Sequence, residues 1–462
     1  MQRKDHISMV RWVRVLTATA MAVALSATVF TSASSASSSP GVTGNSIRIG
    51  ATVPLTGPAA PGYDEIAPAM DAVFDWVNAH GGIYGRKIHY TILDDAYNPA
   101  NTATLTRKLV LQDNIFADVG SLGTPTQLAV QSYLNTEKVP QLFVESGCNC
   151  WSSSKYPLSF GWQPPYTVEG KILGAYIKQH FPGKKVGYLY QDDEFGQDFV
   201  KGLDMEIPAS SIVSRQTYDA ATLSGVLANQ MGALKQAGAQ VVAMATIPAA
   251  TALAMLPAAE ISYFPQYAIS SVGSDPPTVG PLLEAFTKAG GGTAAEAAAA
   301  TGLLNGVISL SYFAPESDPS NAWVKTETAL LKKYAPSVWA KYGLDGNTGY
   351  GVALAYTFVQ ALQAAGKNLT RQSLVAAIEK YGQSFITPGF VPPSYSKTVH
   401  YGFQGEEVTE LSSSAPKAKT PTGDWIGVKA LTKVEVTNAG AGPIKTYTGK
   451  TSTPPKSLTS SI

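Results

Sequence analysis

The sequence has few of the residues that enzymes and metal proteins use at reactive sites. Its 462 residues include 2 cysteines and 5 histidines, and the histidines form no cluster with the cysteines. Because a zinc site usually needs four protein ligands, or three and a water, this composition argues against a metal centre. The hydrolase motifs G-x-S-x-G and H-E-x-x-H are also missing. We therefore expect no catalytic residue, no metal and no cofactor, and a secreted hydrolase is the weakest hypothesis.

Charged residues are scarce as well. Asp, Glu, Lys and Arg make up 15% of the chain, and the formal net charge is +1. A nucleic-acid-binding domain carries a basic patch, which this composition does not supply. We expect small molecules or another protein as partners, and no nucleic acid.

Long apolar runs are missing except near the start of the chain. Residues 15–30 form a run of about 16 residues, shorter than the roughly 20 that span a membrane. Basic residues precede this run and small residues follow it, which is typical of a secretory signal peptide over residues 1–36. Since the first cysteine is Cys148, we expect no lipid anchor and an exported protein of the periplasm or the extracellular space.

The chain does contain a repeated alternation of strands and helices. Residues 46–53, SIRIGATV, alternate as a strand does, and an apolar-periodic helix over 67–78 ends at two glycines. The pattern recurs and then restarts at Lys184, with a helix predicted over 222–237. Such alternation predicts an α/β fold with parallel sheets covered on both faces. Residues 431–462 are rich in Thr, Ser, Pro and Gly and are expected to be extended or disordered.

Four blocks of sequence carry a resemblance to a known family. In chain order they read IRIGATVPLTGP, NAHGGIYGRKIHYTILDDAYNPANT, VGSLGTPTQLA and DEFGQDF. Together they resemble the leucine/isoleucine/valine-binding family of extracytoplasmic solute-binding proteins, which serve ABC transporters. The resemblance covers roughly residues 45–425. It implies the type I periplasmic binding protein fold, in which two Rossmann-like lobes are joined by a three-crossover hinge and hold a ligand between them.

The resemblance also divides the chain. Crossovers near residues 165, 312 and 387 would place 45–165 and 313–386 in lobe 1, and 166–312 and 387–430 in lobe 2. Ligands of open parallel sheets bind at the carboxyl ends of strands, where the chain order reverses. Two lobes on a hinge close around what they bind, because contacts made by both lobes exist only in the closed state.

The leading hypothesis for function is therefore a monomeric binding protein that captures a small solute and presents it to the permease of an ABC transporter. A sensor that delivers its ligand to a receptor is the alternative among binding proteins.

The segment GSLGTPTQ gives the clearest local signal for a binding site. Thr124 stands where a helix N-cap belongs, Pro125 suits the first helical position, and Gln127 would complete a capping box. The unpaired N–H groups of such a helix start attract a carboxylate. An ordinary cap without a ligand fits the same residues. The resemblance favours a ligand, because Thr124 aligns with the family's hydroxyl residue that holds the ligand's carboxylate.

The resemblance adds positions on both lobes. Glu145, Ser146 and Gly147 follow a strand and align with a loop that binds the ligand mainly through backbone groups. Relatives often have threonine where this chain has Gly147. Phe195, in DEFGQDF, stands where many relatives place a tyrosine that covers the ligand, although a core phenylalanine fits equally well. Tyr63 lies within one position of a family aromatic residue.

The acid that binds the ligand's ammonium group in amino-acid-binding relatives has no direct counterpart. Asp275, in SSVGSDP, is the nearest carboxylate, two or three residues late, and it could instead cap the next segment. Thr246 ends the strand AQVVAMAT at another edge position, and Ile247 replaces a common ligand aromatic. The ligand is open between an amino acid, an aromatic or other organic acid, and an amide.

Cys148 and Cys150 directly follow the Glu145 loop. A redox enzyme favours Cys-x-x-Cys, which has one residue more between its cysteines. In an oxidising compartment we expect this pair to be bonded to each other, as a clasp that shapes the preceding turn.

Overall fold

The computed structural model describes residues 39–223 and 225–459 of the chain. The predicted signal peptide, residues 1–36, lies outside this part. Among the residues that are described, no helix combines the length and the apolar character needed to cross a membrane.

A parallel five-stranded sheet forms the centre of lobe 1. Its strands are β1 (Ser46–Val53), β2 (Lys87–Asp94), β3 (Ala117–Val119), β4 (Gln141–Val144) and β5 (Ser159–Gly161). Their order across the sheet is β2-β1-β3-β4-β5, so β1 pairs with both β2 and β3. In β1, Ile49 and Ala51 are buried on one face, and Gly50 and Thr52 are buried on the other. Burial on both faces is what a parallel sheet covered by helices requires.

A larger mixed sheet forms the centre of lobe 2. The strands of this part are β6 (Val186–Gln191), β7 (Ile212–Tyr218), β8 (Val241–Ala245), β9 (Gln266–Ile269), β10 (Ile308–Ser311), β11 (Gly405–Ser412), β12 (Ala418–Thr420), β13 (Gly423–Trp425), β14 (Gly427–Ala430), β15 (Glu435–Val436) and β16 (Lys445–Thr446). The order is β16-β15-β11-β10-β9-β8-β6-β7, with β14 paired to β11 and with β12 and β13 forming a separate hairpin. Pairs from β6 to β10 are parallel, whereas β11 runs antiparallel to its neighbours.

Helices cover both sheets. They are α1 (Ala60–Tyr63), α2 (Ile66–Ala79), α3 (Pro99–Leu111), α4 (Thr124–Thr136), α5 (Tyr166–His180), α6 (Glu194–Asp204), α7 (Ala228–Gln236), α8 (Pro248–Glu260), α9 (Pro276–Ala289), α10 (Ala294–Ala300), α11 (Ala322–Tyr334), α12 (Pro336–Lys341), α13 (Gly346–Ala365), α14 (Arg371–Tyr381) and α15 (Lys456–Thr459). The start of α3 shows how local sequence sets such a boundary. Asn98 accepts hydrogen bonds from the N–H groups of Ala100 and Asn101, and Pro99 takes the first helical position.

The chain passes between the two sheets three times, after β5, after β10 and after α14. Helix α13 packs against α2 and α14, so the segment between β10 and β11 returns to the first sheet. This is the topology that the resemblance implies. We keep the names lobe 1 and lobe 2 for the two halves, and their residue limits stay a prediction.

The helix predicted over 222–237 is shorter in the structure. Helix α7 begins at Ala228, and Leu227 before it has non-helical backbone angles, with φ −86° and ψ 42°. Gly225 lies in the part that is not helical, and glycine is a poor helix former. The periodic pattern therefore extended the prediction too far toward the N-terminus.

The end of the chain is extended but packed. β15 pairs with β11, the Trp323 Nε1 group donates to the carbonyl oxygen of Ser452 at 2.9 Å, and Leu458 is 2% exposed. The described residues of this segment are mostly extended, and the expectation of an extended or disordered tail stays a prediction. Backbone pairing and one apolar side chain hold a segment whose composition alone predicts no core.

Candidate ligand-binding cleft

A cavity lies at the carboxyl ends of strands from both sheets. Lobe 1 lines it with residues that follow β3 and β4, and lobe 2 lines it with residues that follow β9 and with the end of β10. The cavity has a volume of about 160 Å³. Its position is the one at which open parallel sheets bind their ligands.

Thr124 lines the cavity, but it is not the N-cap of α4. It is the first helical residue. Gly123, with φ 109°, takes the cap position, and glycine has no side chain that could accept a capping hydrogen bond. The predicted capping box is also wrong, because Gln127 Nε2 donates to Thr52 Oγ1 at 3.0 Å. The hydroxyl of Thr124 instead lies 2.7 Å from Ser146 Oγ. One of these hydroxyls donates its hydrogen to the other. The hydroxyl that accepts can still donate its own hydrogen to another acceptor.

The three residues after β4 have different positions. Glu145 lines the cavity, whereas Ser146 is fully buried behind it. A Cβ atom at Gly147 would lie 2.2 Å from the carbonyl oxygen of Pro164, so this position has no room for a side chain. That contact gives a structural reason for glycine where relatives often have threonine. Ligand binding through the backbone of this loop stays a prediction.

Tyr63 and Phe195 both line the cavity, one from each lobe. The Tyr63 hydroxyl donates to the carbonyl oxygen of Val272 at 3.1 Å, a contact from lobe 1 to lobe 2. Phe195 is 2% exposed, and its ring centroid lies 4.4 Å from that of Tyr166. The structure therefore places Phe195 both in the core of lobe 2 and at the cavity wall.

Asp275 lines the cavity and also caps a helix. Its carboxylate accepts from the backbone N–H of Thr278 at 3.0 Å and from the Thr278 hydroxyl at 2.6 Å. Thr246 does not reach the cavity. Its hydroxyl lies 2.7 Å from that of Thr251, and the next residue, Ile247, takes the place at the wall. Thr246 is fully buried, and its contact with Thr251 joins the end of β8 to α8.

Sequence reasoning missed much of the aromatic wall. Tyr97, Tyr166, Tyr312 and Tyr350 all line the cavity. Tyr166 begins α5 and Tyr312 follows β10, next to the crossovers that the resemblance places near 165 and 312. Crossover residues border the cleft, and this signal could have identified both tyrosines. Tyr97 and Tyr350 carried no comparable signal, because only the folded chain brings the β2–α3 loop and α13 to the same cavity.

The Tyr166 hydroxyl belongs to the same polar cluster as Thr124. Burial raises the pKa of Tyr166, while hydrogen bonds that involve the Gly147 backbone and the hydroxyls of Ser146 and Thr124 oppose the rise. Tyr166 and Thr124 line the same cavity, and the Thr124 hydroxyl lies 2.7 Å from that of Ser146 at the start of α4. A cluster of hydroxyl donors at a helix N-terminus is suited to a carboxylate ligand.

The charged groups at the cavity wall are all acidic. Glu145, Asp275 and Glu316 line it, and the described residues of the wall include no Lys, Arg or His. Burial raises the pKa of Glu145 and of Glu316 well above the usual range. Burial, together with the charge of Asp345, raises the pKa of Asp275 to about 7. The cavity therefore contains carboxyl groups without a basic side chain to balance them.

The two cysteines lie next to this wall. The structure joins Cys148 and Cys150 by a disulfide with a Cα–Cα distance of 5.1 Å. Between them, Asn149 donates its backbone N–H to Asp198 Oδ2 at 2.8 Å, which connects the loop after β4 to α6 of lobe 2. Across residues 39–223 and 225–459, no group of three or more His, Cys, Asp or Glu side chains is arranged to hold a metal ion.

Two sheets joined by three passages of the chain, with a cavity between them, define a hinged α/β binding protein. A sequence profile of the periplasmic binding protein family matches residues 46–400. The chain belongs to this family, whose members are exported binding proteins.

Individual relatives agree with this assignment. The Leu/Ile/Val-binding protein homolog 7 of Brucella abortus (strain 2308) is 23% identical over 356 residues, which are 74% of this chain and 84% of that protein. Two solved structures share the fold. A branched chain amino acid ABC transporter from Thermus thermophilus with bound valine has a TM-score of 0.67 at 18% identity and covers 86% of this chain and 98% of its own. A fatty acid ABC transporter substrate-binding protein from Thermomonospora curvata has a TM-score of 0.71 at 20% identity and covers 87% of this chain and 95% of its own.

Proposed function

We propose that this protein captures a small amino acid-like or carboxylate solute in the cleft and delivers it to the permease of an ABC transporter. The observation that carries the proposal is the cavity at the carboxyl ends of strands from both sheets, with wall residues from both lobes. The relatives named for branched-chain amino acids, for bound valine and for fatty acid transport support a small organic solute.

The wall residues suit a ligand with a polar end and an apolar body. The hydroxyl cluster of Thr124, Ser146 and Tyr166 offers donors to a carboxylate. Aromatic side chains such as Phe195 and Tyr312 offer apolar faces to the rest of the ligand. An amino acid, an aromatic or other organic acid, and an amide all fit this description.

The proposal also covers the oligomeric state of the protein, its location and the limits of its lobes. It acts as an exported monomer after loss of residues 1–36, without a lipid anchor, and it binds its solute without converting it. The two lobes comprise 45–165 with 313–386 and 166–312 with 387–430.

A ligand screen tests the proposal. A ligand that binds only the folded state must raise its melting temperature. Purified protein is therefore heated with amino acids, aromatic acids and short amides, with sugars and nucleosides as control compounds. We expect stabilisation by members of the first three classes, one ligand per chain by calorimetry, and recovery of the ligand unchanged by mass spectrometry. Stabilisation by the control compounds alone would contradict the proposed solute class, and turnover of the ligand would favour a hydrolase.

A cellular assay separates transport from sensing. Uptake of the labelled ligand by the parent organism should fall when the gene is deleted. Unchanged uptake, with a lost transcriptional response to the ligand, would favour a sensor.

A further inference from the structure

The carboxyl group of Glu145 differs from the other acids of the molecule that line the cleft. Its side chain is 5% exposed, and it lines the cavity. Neither of its oxygens meets a hydrogen-bond donor within the described part of the chain. By contrast, Asp275 in the same cavity accepts from Thr278. A buried polar group without a partner is costly, so a carboxyl group kept in this state is an indication of a missing partner.

The surroundings of this carboxyl group limit what the partner can be. An ideal Cβ at Gly120 would lie 3.4 Å from Glu145 Oε1, so backbone closes one side. Tyr312 and Tyr350 line the same cavity as Glu145, and the charge of Glu145 contributes to the raised pKa of both and to that of Tyr90 in β2. None of the described wall residues is Lys, Arg or His. The protein itself therefore supplies tyrosine side chains to the cavity and no positive charge.

We infer that Glu145 binds a protonated primary or secondary amine of the ligand through its side chain. The inference rests on the proposed function, since it concerns the solute held in the same cleft. It departs from the resemblance in two ways. The family aligns the Glu145 loop with backbone contacts, and it places the partner of an ammonium group near Asp275, which here caps α9.

The chemistry of the site favours a protonated primary or secondary amine. Two carboxyl oxygens without donors require N–H groups, which a quaternary ammonium lacks. Tyr312 and Tyr350 line the same cavity, and tyrosine rings attract a cation that lies over their faces. Glu145 and Thr124 line the same cavity, and the Gly123 backbone N–H joins their loops by a hydrogen bond to the Glu145 carbonyl oxygen at 3.3 Å. A ligand with an amine and a carboxylate group meets both side chains within this one cavity.

Closure of the cleft buries the Glu145 carboxyl group. Burial raises the pKa of Glu145, so a carboxylate without a positive partner is disfavoured in the closed cleft. Burial also raises the pKa of Tyr90, Tyr312 and Tyr350, so these groups stay neutral. An ammonium group of the ligand supplies the missing positive charge and favours the carboxylate. The affinity for an amine-bearing ligand should therefore fall when the pH is low enough to protonate Glu145.

Matched compounds test the inference. Leucine and phenylalanine are compared with their deaminated forms, isocaproate and hydrocinnamate, and with their decarboxylated forms, isoamylamine and phenethylamine. We expect the deaminated acids to bind at least about tenfold more weakly than their parents, as loss of a charged hydrogen bond predicts. Calorimetry measures each affinity, and its repetition at low pH measures the loss of affinity when Glu145 is protonated.

Substitutions at position 145 test whether Glu145 causes this difference in affinity. Glu145→Gln keeps the shape and removes the charge, so it should bind the amine-bearing compounds roughly tenfold to a hundredfold more weakly. Glu145→Asp should retain part of the affinity. Asp118→Asn is the matched control: Asp118 is a fully buried acid of β3 in the same lobe and is not among the described residues of the cavity wall. Its affinity should equal that of the unaltered protein.

The possible failures are distinguishable. If isocaproate or hydrocinnamate binds as tightly as its parent, or if Glu145→Gln binds leucine and phenylalanine unchanged, the cleft still captures a carboxylate solute, and the assignment of Glu145 is wrong. If none of these compounds and no member of the wider screen stabilises the protein, the proposed function fails, and the amine site fails with it. Unaltered protein alone decides the case where Glu145→Gln does not fold, because equal binding of the deaminated acids and their parents contradicts the inference.

Discussion

Thr124 is the residue that links the sequence argument to the cavity most directly. Its hydroxyl lies at the cavity wall, at the first position of α4, 2.7 Å from Ser146 Oγ. We predict that Thr124→Ala weakens binding of a carboxylate ligand by roughly tenfold to a hundredfold, because loss of a hydrogen bond to a charged group costs about 1.5–3 kcal/mol. Thr124→Ser keeps the hydroxyl and should bind nearly as well as the unaltered protein. Calorimetry with a carboxylate ligand and with its amide measures both effects.

Thr126 provides the control for this prediction. Its side chain is fully buried on the same helix, and its hydroxyl donates to the Leu122 carbonyl oxygen at 2.6 Å. Thr126→Ala should lower stability by about 1 kcal/mol, as loss of one buried hydrogen bond predicts, and leave affinity unchanged. Equal binding by the Ala and Ser variants at position 124, or equal weakening by Thr126→Ala, would show that the hydroxyl of Thr124 does not hold the carboxylate.

The bond between Cys148 and Cys150 is a second prediction at this scale. Exported protein that is denatured without reductant and alkylated should show no free thiol by intact-mass analysis, while reduction beforehand should yield two alkylated cysteines. The loop is short, so the chain-entropy formula gives only about 1.6 kcal/mol of stabilisation. The bond should therefore affect the neighbouring turn more than global stability. Two free thiols in freshly exported protein would contradict the prediction.

The limits of sequence reasoning about the site are visible in single residues. Thr124 and Asp275 carry cap signals, and the structure places both at the cavity. Thr246 carries a similar edge signal, yet its hydroxyl pairs with Thr251 instead. Whether a polar residue at a strand end faces the cleft or its own turn depends on side-chain direction, which spacing does not encode. Tyr350 lies far away in sequence and could be assigned only after the fold was known.

At the scale of secondary structure, the strands and helices that have a regular apolar pattern are predicted well from the sequence. Strand β1 has the predicted bounds, and α2 covers Ile66–Ala79 against a prediction of 67–78. The boundary of α7 was less predictable, because the apolar period continues across residues that the structure leaves non-helical. β15 was not predicted, because two residues that pair through their backbone leave no periodic pattern.

Acidic side chains cluster at the starts of three helices. Asp275 caps α9, Asp345 caps α13 and Glu65 precedes α2. Burial, followed by the charges of Asp345 and Asp275, raises the pKa of Glu65 to about 11. Burial and the charge of Asp345 raise that of Asp275 to about 7, and burial raises that of Glu327, on α11 nearby, to about 8. The folded protein therefore holds these protons more tightly than the unfolded chain does.

This difference predicts how stability depends on pH. A carboxyl group whose pKa is raised by folding contributes stability that is fully present below its unfolded pKa and is lost as pH rises through its folded pKa. For Glu327, which is buried in lobe 1, the loss falls between about pH 4.5 and about pH 8. The melting temperature of the ligand-free protein should fall over this range in calorimetry. Glu327→Gln should make the fall smaller. A melting temperature that rises across the same range would contradict the account.

At the scale of the whole molecule, the structure has the two lobes in contact across the cleft. The Tyr63 hydroxyl donates to Val272, Gln191 Nε2 lies 3.3 Å from the Tyr97 hydroxyl, and Asn347 Nδ2 donates to Thr278 Oγ1 at 2.9 Å. Each of these contacts joins a residue of lobe 1 to one of lobe 2. They exist only while the cleft is closed, so a ligand that also contacts both lobes shifts the hinge toward this state.

The central claim is that the protein works by closing its two lobes around a solute. Small-angle X-ray scattering of the purified protein, first empty and then saturated with the tightest ligand from the screen, tests this claim most directly. We predict that the empty protein has a larger radius of gyration than the present structure, and that saturation reduces it to the value of the structure. A radius of gyration that does not change when calorimetry shows the ligand bound would contradict the account.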